Sequence, residues 1–159
     1  MDIKKFIILL VGLVLPVGIF VFLKIFGENK FEVVPLFQTD IPKLSANCPD
    51  LQAPYQIPPS IVTLFVSDGN QLGVVVVGEI GTAPLRIIEQ FGKEPILISE
   101  VENSTAMMGL QLKDCVFLLD EPYDMVLIDK DGYIRGQYSS ADRDEIDRLI
   151  LEVAIILEK

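Results

Sequence analysis

Between Lys5 and Lys24 lie eighteen residues without a charge, Phe6 to Leu23, nearly all aliphatic or aromatic. As a helix they rise about 27 Å, close to the roughly 30 Å of hydrocarbon in a bilayer. The run predicts a membrane-spanning helix over 6–26, with Lys24 snorkelling so that Ile25 and Phe26 extend the span. Pro16 and Gly18 lie mid-segment, where a spanning helix tolerates both. A cleaved signal peptide has a shorter apolar region and a small-x-small site after it. The segment here continues into Lys24-Ile25-Phe26-Gly27-Glu28-Asn29-Lys30, which has no such site and no Cys for lipid attachment. Lys4 and Lys5 before the run, and Lys24 and Lys30 after it, bias orientation only slightly. An anchor with so little in front of it leaves the large domain outside the cytoplasm. The expectation is a single-pass inner-membrane protein, with residues 1–5 cytoplasmic and the domain in the periplasm.

Charge and residue usage then exclude several kinds of chemistry. The chain has no His, so there is no Ser-His-Asp or Cys-His pair and no imidazole metal ligand. With 13 Lys and Arg against 23 Asp and Glu, it lacks the clustered cations that a nucleic-acid partner requires. Residues 24–159 hold 11 basic and 22 acidic side chains, so anionic head groups repel the exported part. Contact with the lipid bilayer is therefore expected through the anchor helix.

Six of the ten prolines fall between Pro35 and Pro59, so 27–60 reads as an extended linker and edge segment. The domain then runs over 61–159. Ile61-Val62-Thr63-Leu64-Phe65-Val66 reads as a buried strand ended by the turn Ser67-Asp68-Gly69-Asn70, and Leu72 to Val77 as a second strand. Thr82 caps a short helix from Ala83-Pro84, with Gly92 past its end. Ile96-Leu97-Ile98 is a third strand and Ser104 to Leu112 a weak helix. Met125 to Tyr138 forms a β-hairpin around Asp129-Lys130-Asp131-Gly132. Asp142 and Glu145 make a capping box, and Ile146, Leu149, Ile150, Val153, Ile156 and Leu157 give the closing helix one apolar face. The order predicts an α/β sandwich, a mixed sheet with flanking helices.

The string Met125 to Tyr138, continued by Asp144-Glu-Ile-Asp-Arg-Leu-Ile150, resembles the C-terminal third of the SCO/SenC family. Those are membrane-anchored, thioredoxin-fold proteins that deliver copper to cytochrome c oxidase. The likeness is good over 115–157, weak over 61–100 and absent in 27–60. It implies a thioredoxin-like sandwich behind one N-terminal transmembrane helix. Family members bind copper through a Cys-x-x-x-Cys pair after the first core strand and a His before the last hairpin, soft ligands suited to copper. Here Ser67, Asp68, Gly69 and Asn70 occupy the turn where the Cys motif is expected, and its helix is missing. Glu121 stands at the position of the lost His. The resemblance without its ligands implies a protein that has no cofactor, is not an enzyme and has no copper or redox site of its own. It then serves as an accessory or interaction module of a membrane protein complex, a respiratory oxidase or its assembly being the first guess. A structural subunit of an envelope complex is an alternative.

Cys48 and Cys115 stand 67 positions apart and form no C-x-x-C motif. Three readings stay open: a disulfide tying the Pro-rich segment to the domain, two separate thiols, or a thiol–disulfide or metal-transfer site. Pro122 is expected in a turn, although thioredoxin-like proteins often place a cis-proline before a late strand. Asp120, Glu121 and Asp124 are the ligand types of a hard cation, with a solvated acidic loop as the simpler account. Met107 and Met108 diverge by about 100° on a helix and suit packing better than copper. Asp129 and Asp131 belong to the hairpin turn.

Overall fold

The computed structural model describes residues 3–26, 32–42, 48–79, 81–92, 94–107 and 110–158. The chain divides into two compact units, Met1–Phe31 and Glu32–Lys159.

The first unit holds α1 (Ile3–Phe26), an unbroken 24-residue helix that keeps Pro16 inside it. Its described side chains are those of Ile3, 12–22, Lys24 and Ile25, and the apolar ones among them are exposed. Among the described residues no helix is long and apolar enough to cross a membrane.

The second unit is a mixed α/β fold. Four strands, β1 (Leu72–Val77), β2 (Ile96–Val101), β5 (Met125–Asp129) and β6 (Ile134–Tyr138), form one sheet in the order β2-β1-β5-β6. β1 and β2 are parallel, with Leu72 opposite Ile96 and Val77 opposite Val101. The crossover between them carries α3 (Ala83–Phe91), as parallel neighbours require. β5 runs antiparallel to β1 and β6 antiparallel to β5. Every residue of β1 and β5 is buried, because both faces of these central strands are covered. Alternation along each strand divides the core. Val75, Val77, Val126 and Ile128 face Tyr55, Ile57, Phe65 and Phe117 on one side. Val74, Val76, Met125 and Leu127 face Ile87 of α3 and Ile146, Leu149 and Val153 of α4 (Arg143–Leu157) on the other.

Several local expectations change here. The segment read as a first strand is a helix, α2 (Pro59–Phe65). Its β-branched composition suggests a strand, but Pro59 in the first turn presets helical φ, and Ile61, Val62 and Phe65 are buried while Thr63 and Leu64 are exposed. That is one helical face, and it packs so closely on β1 that a Cβ on Gly73 would press into the Phe65 carbonyl. β1 is therefore the first strand of the sheet, and a helix, α3, follows it, where the sequence reading expects none after the first strand. The weak helix expected over 104–112 is instead two short antiparallel strands, β3 (Ala106–Met107) and β4 (Leu110–Gln111), running into a π-helical turn, Leu112–Val116. Met107 thus lies on a strand, and Met108 lies outside the described residues.

The Pro-rich stretch, expected as an extended linker and edge segment, is held to the domain by backbone hydrogen bonds. Leu36 N donates to Ile134 O at 2.8 Å, Tyr55 N to Phe37 O at 3.0 Å, and Ile57 N to Gly132 O at 2.9 Å. Leu36, Phe37, Ile41 and Leu51 pack on the core, and Tyr55 and Ile57 belong to it. Its described residues from Glu32 onward form a strap over β6 and the hairpin turn and belong to the compact unit.

Candidate functional site

Three places bear on chemistry: the two ends of the sheet and the pair of cysteines.

At the C-terminal end of β1 the chain turns through Gly78, at φ +115°, where its N–H reaches Val101 O at 2.9 Å. Glu79, Gly81 and Thr82 lead into α3, with Glu79 and Gly81 exposed. This loop comes after the first strand of the sheet, so it takes the place that the turn 67–70 was expected to hold, and it too has no Cys. Ser67 to Asn70 instead links α2 to β1. Asn70 N donates to Ser67 O at 2.9 Å, and Asn70 Nδ2 donates to Glu94 O at 2.6 Å. Asp68 and Gly69 are exposed.

Before β5, Glu121 is exposed and pairs with Lys113 at 3.0 Å. Such a pair contributes little in water. Pro122 does sit in a turn, and the Glu121–Pro122 peptide is cis. Asp124 is occupied: its carboxylate accepts from Ser140 N at 2.6 Å and from the Ser140 hydroxyl, while Asp124 O accepts from Val77 N at 2.7 Å. It clamps the β6–α4 corner onto the sheet. Among the described residues no three His, Cys, Asp or Glu side chains are grouped to hold a metal ion. The cation reading of Asp120, Glu121 and Asp124 has no such grouping behind it.

Cys48 and Cys115 are bonded to each other, with Cα atoms 5.2 Å apart. Cys115 is 2% exposed, inside the π-helical turn. Next to it, Tyr55 Oη donates to Val116 O at 2.8 Å, and burial pushes the Tyr55 phenol up to about 12. Two residues further on, Leu118 takes φ +54°. Gln137 Nε2 holds that corner, donating to Phe117 O at 2.9 Å and Leu118 O at 2.8 Å. The disulfide therefore sits where strap, turn and sheet are already joined by hydrogen bonds. Neither sulfur lies in the loop after β1.

The other end of the sheet holds residues that sequence reading treats only as a turn. Asp129 is 5% exposed and accepts from Asp131 N at 3.0 Å, Tyr133 N at 2.9 Å and Arg135 Nε at 2.7 Å. Arg135 in turn donates from Nη1 to Val33 O at 2.8 Å, which ties the strap to the hairpin. A buried charge needs a hydrogen-bonded partner, and the Asp-x-x-x-x-x-Arg spacing across the turn is the signal available for it. On the α4 side, Tyr138 Oη donates to Glu152 at 2.5 Å, and the Arg148 guanidinium lies 4.7 Å from the ring centroid. Burial, then the Glu152 hydrogen bond, raises the Tyr138 phenol well above its usual range. This group locks α4 to β6.

Compared with family models, with curated proteins and with solved structures, the chain matches none.

Proposed function

We propose that this chain is a membrane-anchored, thioredoxin-like protein of SCO/SenC type that has no copper or redox site of its own and acts as an accessory or interaction module of a membrane complex in the periplasm. The observation that carries the reading is the strand plan. A parallel β1-α3-β2 unit precedes an antiparallel β5-β6 hairpin and a closing helix, in the order β2-β1-β5-β6. That plan supports the thioredoxin-like arrangement the resemblance implies, and the loop after β1, where the family carries its Cys pair, has only Gly, Glu and Thr among its described residues. Support for the anchor is the uncharged run from Phe6 to Leu23, continuous within α1. A helix apolar all round requires an apolar environment.

Fold does not fix function, so the site must be tested directly. Cu(I) competition on the reduced full-length chain is expected to show no stoichiometric binding, and tight binding of one equivalent would overturn the proposal. Co-purification from native membranes in mild detergent is expected to recover a membrane complex, with oxidase subunits first in line. Recovery of an unrelated envelope complex would remove the oxidase from the reading. The thiol–disulfide alternative gains from one observation, the formed Cys48–Cys115 bond. It predicts that Cys48→Ser and Cys115→Ser each abolish exchange with a small dithiol. The burial of Cys115 favours instead a bond that exchanges slowly.

A further inference from the structure

The described parts of the strap, 32–42 and 48–58, hold no helix or strand. They rest on the domain through separate hydrogen bonds: Leu36 N to Ile134 O, Ile57 N to Gly132 O, Tyr55 Oη to Val116 O and Arg135 Nη1 to Val33 O. Segments held by single bonds open locally at less cost than the strands of a sheet. To these contacts the Cys48–Cys115 bond adds one covalent link. Cys115 is 2% exposed within the π-helical turn and stays with the domain, while Cys48 is half-buried on the strap.

The position of that link decides what it controls. With Cys48 fixed, residues 49–58 are a ten-residue loop pinned at Cys115 and at Pro59, the start of α2. Without it, the strap is joined covalently to the domain at Pro59 alone. Closing a loop of about ten residues restricts an open chain by on the order of a hundredfold. The docked strap keeps the same hydrogen bonds either way, so the difference falls on its opened state.

We propose that the Cys48–Cys115 bond is a redox-controlled latch on the strap, opened by a dithiol reductant. One thiolate of the reductant attacks Sγ of Cys48, the less buried residue of the two. The Cys48–Cys115 bond breaks, and Cys115 leaves as a thiolate that takes up a proton in its buried site. The second thiol of the reductant then displaces Cys48, which is protonated in turn, and the reductant closes its own disulfide. Two electrons and two protons have passed to the cysteine pair. In the reduced chain the strap lifts while the sheet stays whole, uncovering Ile134 O and the apolar layer on which Leu36, Phe37 and Leu51 pack. The electrons end in the strap's own link and pass to no substrate, which separates the latch from the thiol–disulfide alternative above. It uses neither α1 nor the loop after β1.

The test is residue-resolved amide hydrogen exchange of the full-length chain in a detergent with an uncharged sugar head group, with and without dithiothreitol. Leu36 and Ile57 report on the strap, and Val75 and Leu127 on the central strands. After correction for intrinsic rates, reduction is expected to speed exchange at Leu36 and Ile57 by roughly tenfold or more. In the same reduced sample these two amides run roughly tenfold or more ahead of Val75 and Leu127, as a local opening requires. Cys48→Ala shows that pattern without reductant, and dithiothreitol changes nothing further in it; if the variant does not fold, the reduced unaltered chain decides alone. Unchanged exchange at Leu36 and Ile57, strap amides that exchange only in step with Val75 and Leu127, or a response of Cys48→Ala to dithiothreitol overturns the latch.

Discussion

Replacing Cys48 with Ala opens the one covalent crosslink while leaving Cys115 as a buried thiol, which behaves as a small apolar side chain. The native contacts of the strap do not depend on the sulfur bond, because Tyr55, Ile57 and Leu36 are held by their own hydrogen bonds. The effect therefore falls on the unfolded state, where a closed loop spanning a sequence separation of 67 is released. Chain entropy puts that release at about 4 kcal/mol. The full-length chain in a neutral detergent is unfolded with urea and monitored by far-ultraviolet circular dichroism and tyrosine fluorescence, since it has no Trp. With a slope near 2 kcal/mol/M, the midpoint of Cys48→Ala falls by about 2 M, and the slope increases as the unfolded chain expands. Adding a dithiol reductant to the unaltered chain gives the same shift. A midpoint within about 0.3 M of the intact chain, inside ordinary extrapolation error, would show that loop entropy is not what the bond supplies.

Gly136→Ala is expected to cost about 1–3 kcal/mol, because a Cβ there would overlap the Tyr138 ring and hydroxyl that lie across it. Adding Tyr138→Leu removes the overlap, so the double variant is at least about 1 kcal/mol more stable than the two single losses summed; strict additivity in urea titrations would contradict this. Asp142→Ala removes the side chain that accepts from Asp144 N at 2.9 Å and should lower stability by about 1 kcal/mol in the same assay. Alkali provides a further test, because the folded Tyr55 phenol is raised from 10.0 to about 12. Its contribution is complete below pH 10 and is lost as pH rises through the folded value, so stability declines between pH 10 and 12. Tyr55→Phe should lessen that decline, the raised Tyr138 phenol supplying the remainder, and an unchanged slope would show that the Tyr55 phenol does not contribute.

The parts of the fold that can be read from sequence are those where local chemistry and tertiary packing agree. The closing helix has its cap at Asp142 and a buried face of Ile146, Leu149 and Val153, as its spacing requires. The hairpin follows from Gly132 at φ +84°, and α3 from Pro84 and from Gly92 at φ +76°. The segment 59–65 reads as a strand because a short β-branched run has too few residues to separate a period of 2.0 from 3.6. Its helix is fixed by the proline pair at its start and by the β1 backbone at Gly73. The strap is legible only in part. Its prolines do prevent regular structure, yet its backbone groups find partners on β6 and its apolar side chains find the core. The role of Arg135 is not legible, since nothing in the sequence pairs it with both Asp129 and the Val33 carbonyl until the strap and the hairpin turn meet.

The strap also governs how copies of the domain can associate when crowded. A sheet whose two outer strands both offer free backbone groups can add neighbours at either side and grow into a fibre. Here the outer side of β6 is already claimed by Leu36, which donates to Ile134 O. The other outer strand is β2. Pairing of copies through β6 at Ile134 would have to displace that bond, so the strap narrows the routes by which strands of two molecules can meet.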